Sequence, residues 1–488
     1  MMNALRASGF ALLCAAALTA GVAAADDSRF DPHHLVSPPL RPLQVPRPER
    51  ITLPNGLVAF LLEDHTFPVV SGTAYVPSSP ELVGDEKLGL AELTGEVMRS
   101  GGTAQHPGDA LDDRLAAIGA SVTTSLSREL GYGGFRCLAE NTDEVLGLFA
   151  DVLERPDFPQ AKILITKTSM HQSIAARNDE VVPIADRIAA QAVYGKGSPW
   201  ARSAEHATVD AIGREDCRRL HARVFVPERM VIAVYGDFRA ADMKRRLLAA
   251  FGGWKHSGTP APVLPAAGAQ GPRRLFFAPK DDVTQSELLV VGLGHRVDEP
   301  DHAAMDVVEQ ALGGGSQSRL NRHIRAQRGL AYSTGSSAGA EYRKPGVFEA
   351  WTLTRNDSAL TALGLLRGEL DGMLAAPLGD EEFREAKESV QNQFVFNFER
   401  RSSALFRAAY YQELGYPPDH LSRYQQALEA VTPASAFEAA KRHIRPDGMS
   451  VVIVGKEKAF EHALEREGLP VERVDITIPP PAGTAAGH

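Results

Sequence analysis

The chain has 488 residues, 44% of them hydrophobic and 23% charged, and a formal net charge of −9. That length exceeds what one hydrophobic core usually carries, so on the order of two to four domains are expected. The composition excludes a disordered chain, and an acidic balance without a strong basic run excludes a protein that tracks nucleic-acid phosphates.

Residues 1–25 read as a secretory signal: Arg6 opens it, Phe10 to Val22 form an apolar core, and Ala23-Ala24-Ala25 precede Asp26 as a small-residue cleavage site. The apolar core is shorter than the about 20 residues of a membrane span, so no span is expected after cleavage. Cys14 follows Leu13, which is too large for the usual lipid-attachment motif. The signal style and the alanine-rich composition point to a bacterial periplasm. Cleavage leaves Cys137 and Cys217. They have the chemistry for one disulfide, but sequence does not show that they meet. Cys137, in Phe135-Arg136-Cys137-Leu138, alternates like a buried strand residue, and no Cys/His spacing suits a metal.

Residues 26–48 are proline-rich and form an extended arm. From Ile51 the pattern becomes regular. Asn55-Gly56 marks a hairpin between Ile51–Leu53 and Leu57–Leu62, and Val69–Val76 is a further strand. A helix over the Leu88 region follows, then a helix from Pro107 to Ile118 and strands at Ala120–Thr124 and Gly131–Leu138. Helices run with breaks from Thr142 to about Val193, and Met230 to Asp237 closes the unit as a buried strand. Residues 256–273, with four prolines and little periodicity, read as an interdomain linker.

Beyond the linker the order repeats. Arg274–Pro279 and Ser286–Leu293 are strands, and Ala303–Leu312 takes the place of the Leu88 helix. Arg319–Gln327 is a second helix, Tyr332–Ala338 and Gly346–Thr354 are strands, and Ala359–Leu374 and Asp380–Glu413 are helical. Met449–Gly455 closes this half as the earlier strand closed the first. Two units with one order of elements imply a duplicated α+β domain, at residues 49–255 and 274–475, with a tail at 476–488.

The most informative stretch is Leu88-Gly89-Leu90-Ala91-Glu92-Leu93-Thr94-Gly95-Glu96-Val97-Met98-Arg99-Ser100-Gly101-Gly102-Thr103. Leu90, Leu93, Val97 and Met98 recur at helical spacing, Gly101-Gly102 stop the pattern, and Glu92 and Glu96 lie one turn apart on one face. The stretch resembles the zinc helix of the insulinase (pitrilysin) family, G-L-A-H-x-x-E-H-M followed by Gly-Thr. The frame matches, but Glu92 stands at the first histidine, Gly95 at the glutamate base and Glu96 at the second histidine. The family's third ligand, a glutamate about 75 residues further on, falls near Gln172 and Ser173, neither a credible zinc ligand. A hydrolytic zinc site needs a metal that brings the pKa of bound water toward about 7 and a carboxylate that takes its proton. Gly95 has no side chain for that task. No catalytic residue and no metal or other cofactor is therefore expected in this chain, and Glu92 and Glu96 read as solvating an emptied cleft.

The resemblance covers nearly all of residues 50–456, duplication included. It implies the LuxS/MPP-like architecture, α+β, with two homologous domains of duplicated α/β-sandwich type facing each other across a cleft. The run Gly313-Gly314-Gly315-Ser316-Gln317-Ser318-Arg319-Leu320, continuing to His323-Ile324-Arg325-Ala326-Gln327-Arg328-Gly329-Leu330-Ala331-Tyr332, resembles the family's second-half element. There an arginine and a tyrosine seven residues later reach into the cleft and hold the substrate backbone; Arg325 and Tyr332 have that spacing. Independently of the family, a guanidinium at a helix end and a phenol just past the Gly329 break can bind a peptide carbonyl or a developing oxyanion. Arg325 capping its own helix and Tyr332 packing in its strand is the plainer alternative. The glycines lack the Lys-Ser/Thr of a phosphate loop.

Gly119–Thr124 corresponds to the edge strand to which the family adds its substrate, so Ser121, Val122 and Thr123 are candidate substrate-binding residues; the same alternation also fits an ordinary sheet edge. His65, His106, His171, His206, His221, His302 and His323 form no H-x-x-x-H pair, and each reads as a surface or core residue.

Some family members split the work between two chains, one with the zinc helix and one with only the arginine–tyrosine pair. The expected function is the second: a non-catalytic subunit of a periplasmic zinc-peptidase heterodimer. Its partner is an insulinase-family subunit with an intact H-x-x-E-H that holds the zinc, and its substrate is an extended peptide. The alternatives are an assembly protein of the same fold with no peptidase partner and, further off, an autonomous peptidase with altered ligands.

Overall fold

The computed structural model describes residues 48–268, 271–460 and 463–481. The signal segment 1–25, all but the last residue of the arm and the end of the tail lie outside them. The first half contributes β1 (Glu49–Thr52), β2 (Val58–Glu63), β3 (Val69–Pro77), β4 (Ser121–Leu126), β5 (Leu130–Leu138) and β6 (Val231–Gly236), in the sheet order β1-β2-β6-β3-β5-β4. The second half contributes β7 (Leu275–Pro279), β8 (Gln285–Leu293), β9 (His295–Arg296), β10 (Ala331–Ser337), β11 (Ala340–Glu341), β12 (Val347–Arg355), β13 (Ser450–Gly455) and β14 (Val471–Arg473). Its sheet runs β10-β12-β8-β13-β7-β14, with β9 and β11 as a separate parallel pair.

The two sheets repeat each other strand by strand. β2 runs parallel to β6, and β6, β3, β5 and β4 then follow antiparallel. In the second sheet β7 runs parallel to β13, and β13, β8, β12 and β10 then follow antiparallel. The duplicated α+β architecture thus holds down to strand direction, and β4 and β10 are equivalent free edges. The halves differ at the opposite edge, where β1 lies antiparallel to β2 but β14 lies parallel to β7.

The central strands are apolar on both faces, as in β6 (Val231-Ile232-Ala233-Val234), so each sheet must be covered twice. One face of each carries that half's own helices and main core. The other face is covered by a helix from the opposite half. The Val181–Tyr194 helix sets Val181, Ile184, Ala185 and Ile188 against Phe276, Leu289, Val291 and Val452 of the second sheet. The Arg401–Leu414 helix sets Leu405 and Ala409 against Phe60, Leu62, Val231 and Ala233 of the first. Each buried aliphatic side chain contributes roughly 1.5–3 kcal/mol, so this exchange ties the halves together.

Residues 256–268 and 271–273 carry no helix or strand. They are nonetheless pinned to the first half: Ser79 Oγ donates to the Val263 carbonyl at 2.8 Å and Trp200 Nε1 to the Pro265 carbonyl at 3.2 Å. Cys137 and Cys217 are both buried and free, not paired. Burial pushes both thiols up to about 11, which leaves them unreactive.

Candidate functional site

The helix expected near Leu88 spans Leu90–Gly101 and starts after Gly89, whose φ is 98°. Leu93, Val97 and Met98 are fully buried, while Glu92 and Glu96 are exposed. Gly95 lies against the edge strand β4. A Cβ there would sit 2.1 Å from the Leu126 nitrogen and 2.6 Å from the Ser125 carbonyl carbon. Thr124 Oγ1 closes the contact by donating to the Gly95 carbonyl at 2.6 Å. The helix and strand approach so closely because residue 95 has no side chain. Position 95 therefore has no room for a carboxylate side chain.

Glu92 borders a cavity of about 40 Å³ together with Arg128 and Arg202. Arg128 is held by the carbonyls of Pro199 at 3.4 Å, Trp200 at 3.2 Å and Arg202, and its guanidinium feels the Glu92 charge. A fixed cation thus stands beside the carboxylate. Gln172 and Ser173 lie exposed on the Gln160–Ala176 helix. Among the described residues no three His, Cys, Asp or Glu side chains converge to hold a metal. Zinc does not fit this donor set: two carboxylates on one helix, no third ligand and an arginine alongside.

Sequence reasoning missed Arg128, and it missed that His171 and His206 meet. Their Nδ1 atoms are 2.7 Å apart with the rings stacked, and His171 Nε2 lies 3.1 Å from Asp210 Oδ1. This is a chain of hydrogen bonds, not a ligand set. No local motif announces it, because the partners come from different helices.

In the second half, the helix expected over Arg319–Gln327 is instead a π-helical turn, Asn321–Ala326. Such turns disrupt regular helix packing and often occur at functional sites. Gly313 is explained by packing: a Cβ there would lie 2.2 Å from the Ser336 nitrogen of β10. Gly329 then turns the chain with φ 61°. At the start of β10 the register to β12 slips between Ala331 and Ser333, so Tyr332 sits in a bulge. Tyr332 is 78% exposed. Arg325 is also exposed, and its guanidinium carbon lies 5.6 Å from the centre of the Tyr332 ring.

Neighbouring side chains are tied down. Arg319 is bidentate to Glu382 at 2.6 and 2.8 Å, His323 Nδ1 lies 2.5 Å from Glu369 Oε1, and Arg328 donates to the His323 carbonyl at 2.8 Å. The Arg325 side chain has no hydrogen bond or ion pair among the described residues. The π turn and the bulge thus present a stacked guanidinium and phenol to solvent with their donors free.

Ser121, Val122 and Thr123 lie on β4, with Ser121 and Thr123 exposed and Val122 buried. The Val122 carbonyl already accepts a hydrogen bond from Arg99 Nε at 2.9 Å. They and Tyr332 occupy the equivalent free edges of the two different sheets.

Residues 84–198 match the model of the insulinase family, peptidase family M16, and residues 211–390 match the model of the peptidase M16 inactive domain. An uncharacterized zinc protease of Streptomyces coelicolor is 25% identical over 369 residues, 73% of this chain and 79% of that protein. A non-peptidase homolog of Helicobacter pylori is 22% identical over 378 residues, 76% of this chain and 85% of that one. Among solved structures, a peptidase M16 inactive domain from Pseudomonas fluorescens superposes with a TM-score of 0.76 at 20% identity, covering 85% of this chain and 98% of that one. The chain belongs to the insulinase family, peptidase family M16.

Proposed function

We propose that the chain is the non-catalytic subunit of an exported, periplasmic zinc-peptidase heterodimer. Its partner is an insulinase-family chain with an intact H-x-x-E-H, and the zinc that activates the hydrolytic water belongs to that partner. This chain contributes Arg325 and Tyr332, which hold the backbone of an extended peptide beside the scissile bond, and the β4 edge at Ser121, Val122 and Thr123 gives further peptide contact. The observation that carries this reading is the contrast within one chain. The first half has no space for a base at Gly95, while the second half spends a π turn and a bulge on exposing an unpaired arginine against a tyrosine.

A guanidinium and a phenol aimed at one carbonyl act where charge develops in the transition state, so their contribution falls on turnover. Mixing the catalytic partner with an Arg325→Ala variant is expected to slow hydrolysis of a mixed peptide library by about 1–3 kcal/mol of transition-state binding. Unchanged turnover in that mixture would sink the assignment. So would near-stoichiometric zinc in the chain purified alone together with chelator-sensitive peptide cleavage, which would mark an autonomous enzyme. Copurification of the chain with an assembly that contains no peptidase would favour a scaffolding role.

A further inference from the structure

A cavity of about 400 Å³ lies among the His302–Leu312, Asp380–Val395, Arg401–Leu414 and His420–Ala430 helices of the second half. That volume falls within the roughly 300–1,000 Å³ of small-molecule pockets. Neither Arg325 nor Tyr332 lines it.

The duplication fixes its place. Ser336 Oγ of β10 donates to the Glu309 carbonyl at 3.3 Å, as Thr124 Oγ1 of β4 donates to that of Gly95 at 2.6 Å. Glu309 is thus the second-half counterpart of Gly95, and Asp306, three residues earlier, that of Glu92. Glu92 borders a cavity of about 40 Å³, whereas Asp306 and Glu309 border the one of about 400 Å³. The same place in the fold is closed in one half and open in the other.

The open cavity carries charges of both signs. Asp306 is engaged: Tyr424 Oη donates to its Oδ2, and His302 Nδ1 lies 3.5 Å from its Oδ1. Glu309 and Arg407 are both half-buried, and neither side chain makes a hydrogen bond or an ion pair among the described residues. Burial, helped by the Asp306 charge, pushes the Glu309 carboxyl up to about 7, so its charged form lacks compensation. Among the described residues no further His, Cys, Asp or Glu joins Asp306 and Glu309 in a metal-holding set.

A carboxylate and a guanidinium that line one space without pairing select a ligand with both charges. An amine alone leaves Arg407 unmatched, and a carboxylate alone leaves Glu309 so. An α-amino acid brings an ammonium for Glu309 and a carboxylate that the guanidinium fork takes through two parallel bonds. Much of the remaining wall is aromatic: the Tyr342 and Tyr411 ring centres are 5.7 Å apart, and Phe394 lies 5.6 Å from Tyr424. Rings in such arrays receive a further ring edge-on or offset, so an aromatic side chain fits.

We propose that this cavity binds a free aromatic α-amino acid, its ammonium on Glu309 and its carboxylate on Arg407. The proposal does not depend on the subunit role above.

The test titrates phenylalanine calorimetrically into the full chain, beside three analogues. Phenethylamine lacks the carboxylate, 3-phenylpropionate lacks the ammonium, and phenylalanylglycine is the dipeptide. Saturable one-to-one binding of phenylalanine is expected, with each analogue at least about tenfold weaker. Glu309→Gln should weaken phenylalanine about tenfold and leave 3-phenylpropionate unchanged. Arg407→Gln should weaken phenylalanine as much and leave phenethylamine unchanged. Neither side chain holds another in place, so both variants should keep the fold, which urea unfolding checks. The analogue series uses only the wild-type chain and decides the matter if a variant does not fold.

No saturable binding of phenylalanine overturns the proposal. So does phenethylamine that binds as tightly as phenylalanine, which marks a plain amine pocket, or phenylalanylglycine that binds tighter, which marks a peptide site. Binding that neither replacement changes puts the amino acid elsewhere on the chain and overturns the proposal as well.

Discussion

Residue 95 is where the Leu90–Gly101 helix and the edge strand β4 come closest. Glycine there lets the helix close onto Ser125 and Leu126. Gly95→Ala is therefore expected to destabilise by about 1–3 kcal/mol, because the overpacking outweighs the gain in helix propensity. Gly147→Ala, in the Thr142–Glu154 helix with open space around its Cβ, should instead gain a few tenths to about 1 kcal/mol; urea denaturation of the pair reads the contrast. On the proposed reading of this helix, a chain carrying Glu92→His, Gly95→Glu and Glu96→His should still fail to bind zinc stoichiometrically, by metal analysis, for the same steric reason. Glu287, buried in β8, makes a second prediction at this scale. Its carboxyl keeps its proton to about pH 8 in the fold against an ordinary value of 4.5, so between those values the folded chain holds more protons than the unfolded one. Stability conferred by the neutral form is complete below about pH 4.5 and is lost as the pH rises toward about 8. Glu287→Gln should thus raise unfolding stability by about 1–3 kcal/mol near the upper limit and hardly at all near the lower one, measured by denaturation across pH.

Among the elements, the free edges β4 and β10 are related by the duplication but have been put to different uses. β4 is held by the neighbouring helix through Gly95, Thr124 and Arg99. β10 opens with a bulge and follows a π turn, and both irregularities serve to carry Arg325 and Tyr332 outward. Gly329 joins them with φ 61° and nothing near its Cβ, so only its backbone conformation is at stake. Gly329→Ala is expected to cost about 1–2 kcal/mol of stability, seen in thermal or urea unfolding. On the subunit role proposed above it should also lower turnover of the mixture with the catalytic partner, because the phenol loses its set position; a variant of normal turnover would separate the turn from the site.

For the whole molecule, the exchanged helices decide how it unfolds. Neither sheet has both apolar faces covered by its own half, so neither half separated from the other would keep its second face out of water. Ile184→Ala, in the helix that the first half lends to the second sheet, should cost about 2–5 kcal/mol. The indole NMR resonance of Trp254 reports on the first half's own core and that of Trp351 on the second sheet where the exchanged helix covers it. Both should move together to lower denaturant in one transition; two separated transitions would show that the exchange is not what couples the halves.

Strand and helix order and the duplication were legible in the sequence because each rests on local periodicity. Arg325, Tyr332 and Gly95 stand out through the resemblance to the insulinase family; periodicity alone leaves Arg325 as a helix cap and Tyr332 as a packed strand residue. Periodicity could not show that Gly95 is packed shut, that a π turn replaces the regular helix before Arg325, or that Tyr332 bulges from its edge. Nor could it show that each half covers the other's sheet, or that Glu309 and Arg407 line one cavity. Each of these depends on segments far apart in the chain arriving at one place. Local sequence sets which face of an element is apolar; only the packed chain sets which distant face meets it, and which charges are left there without a partner.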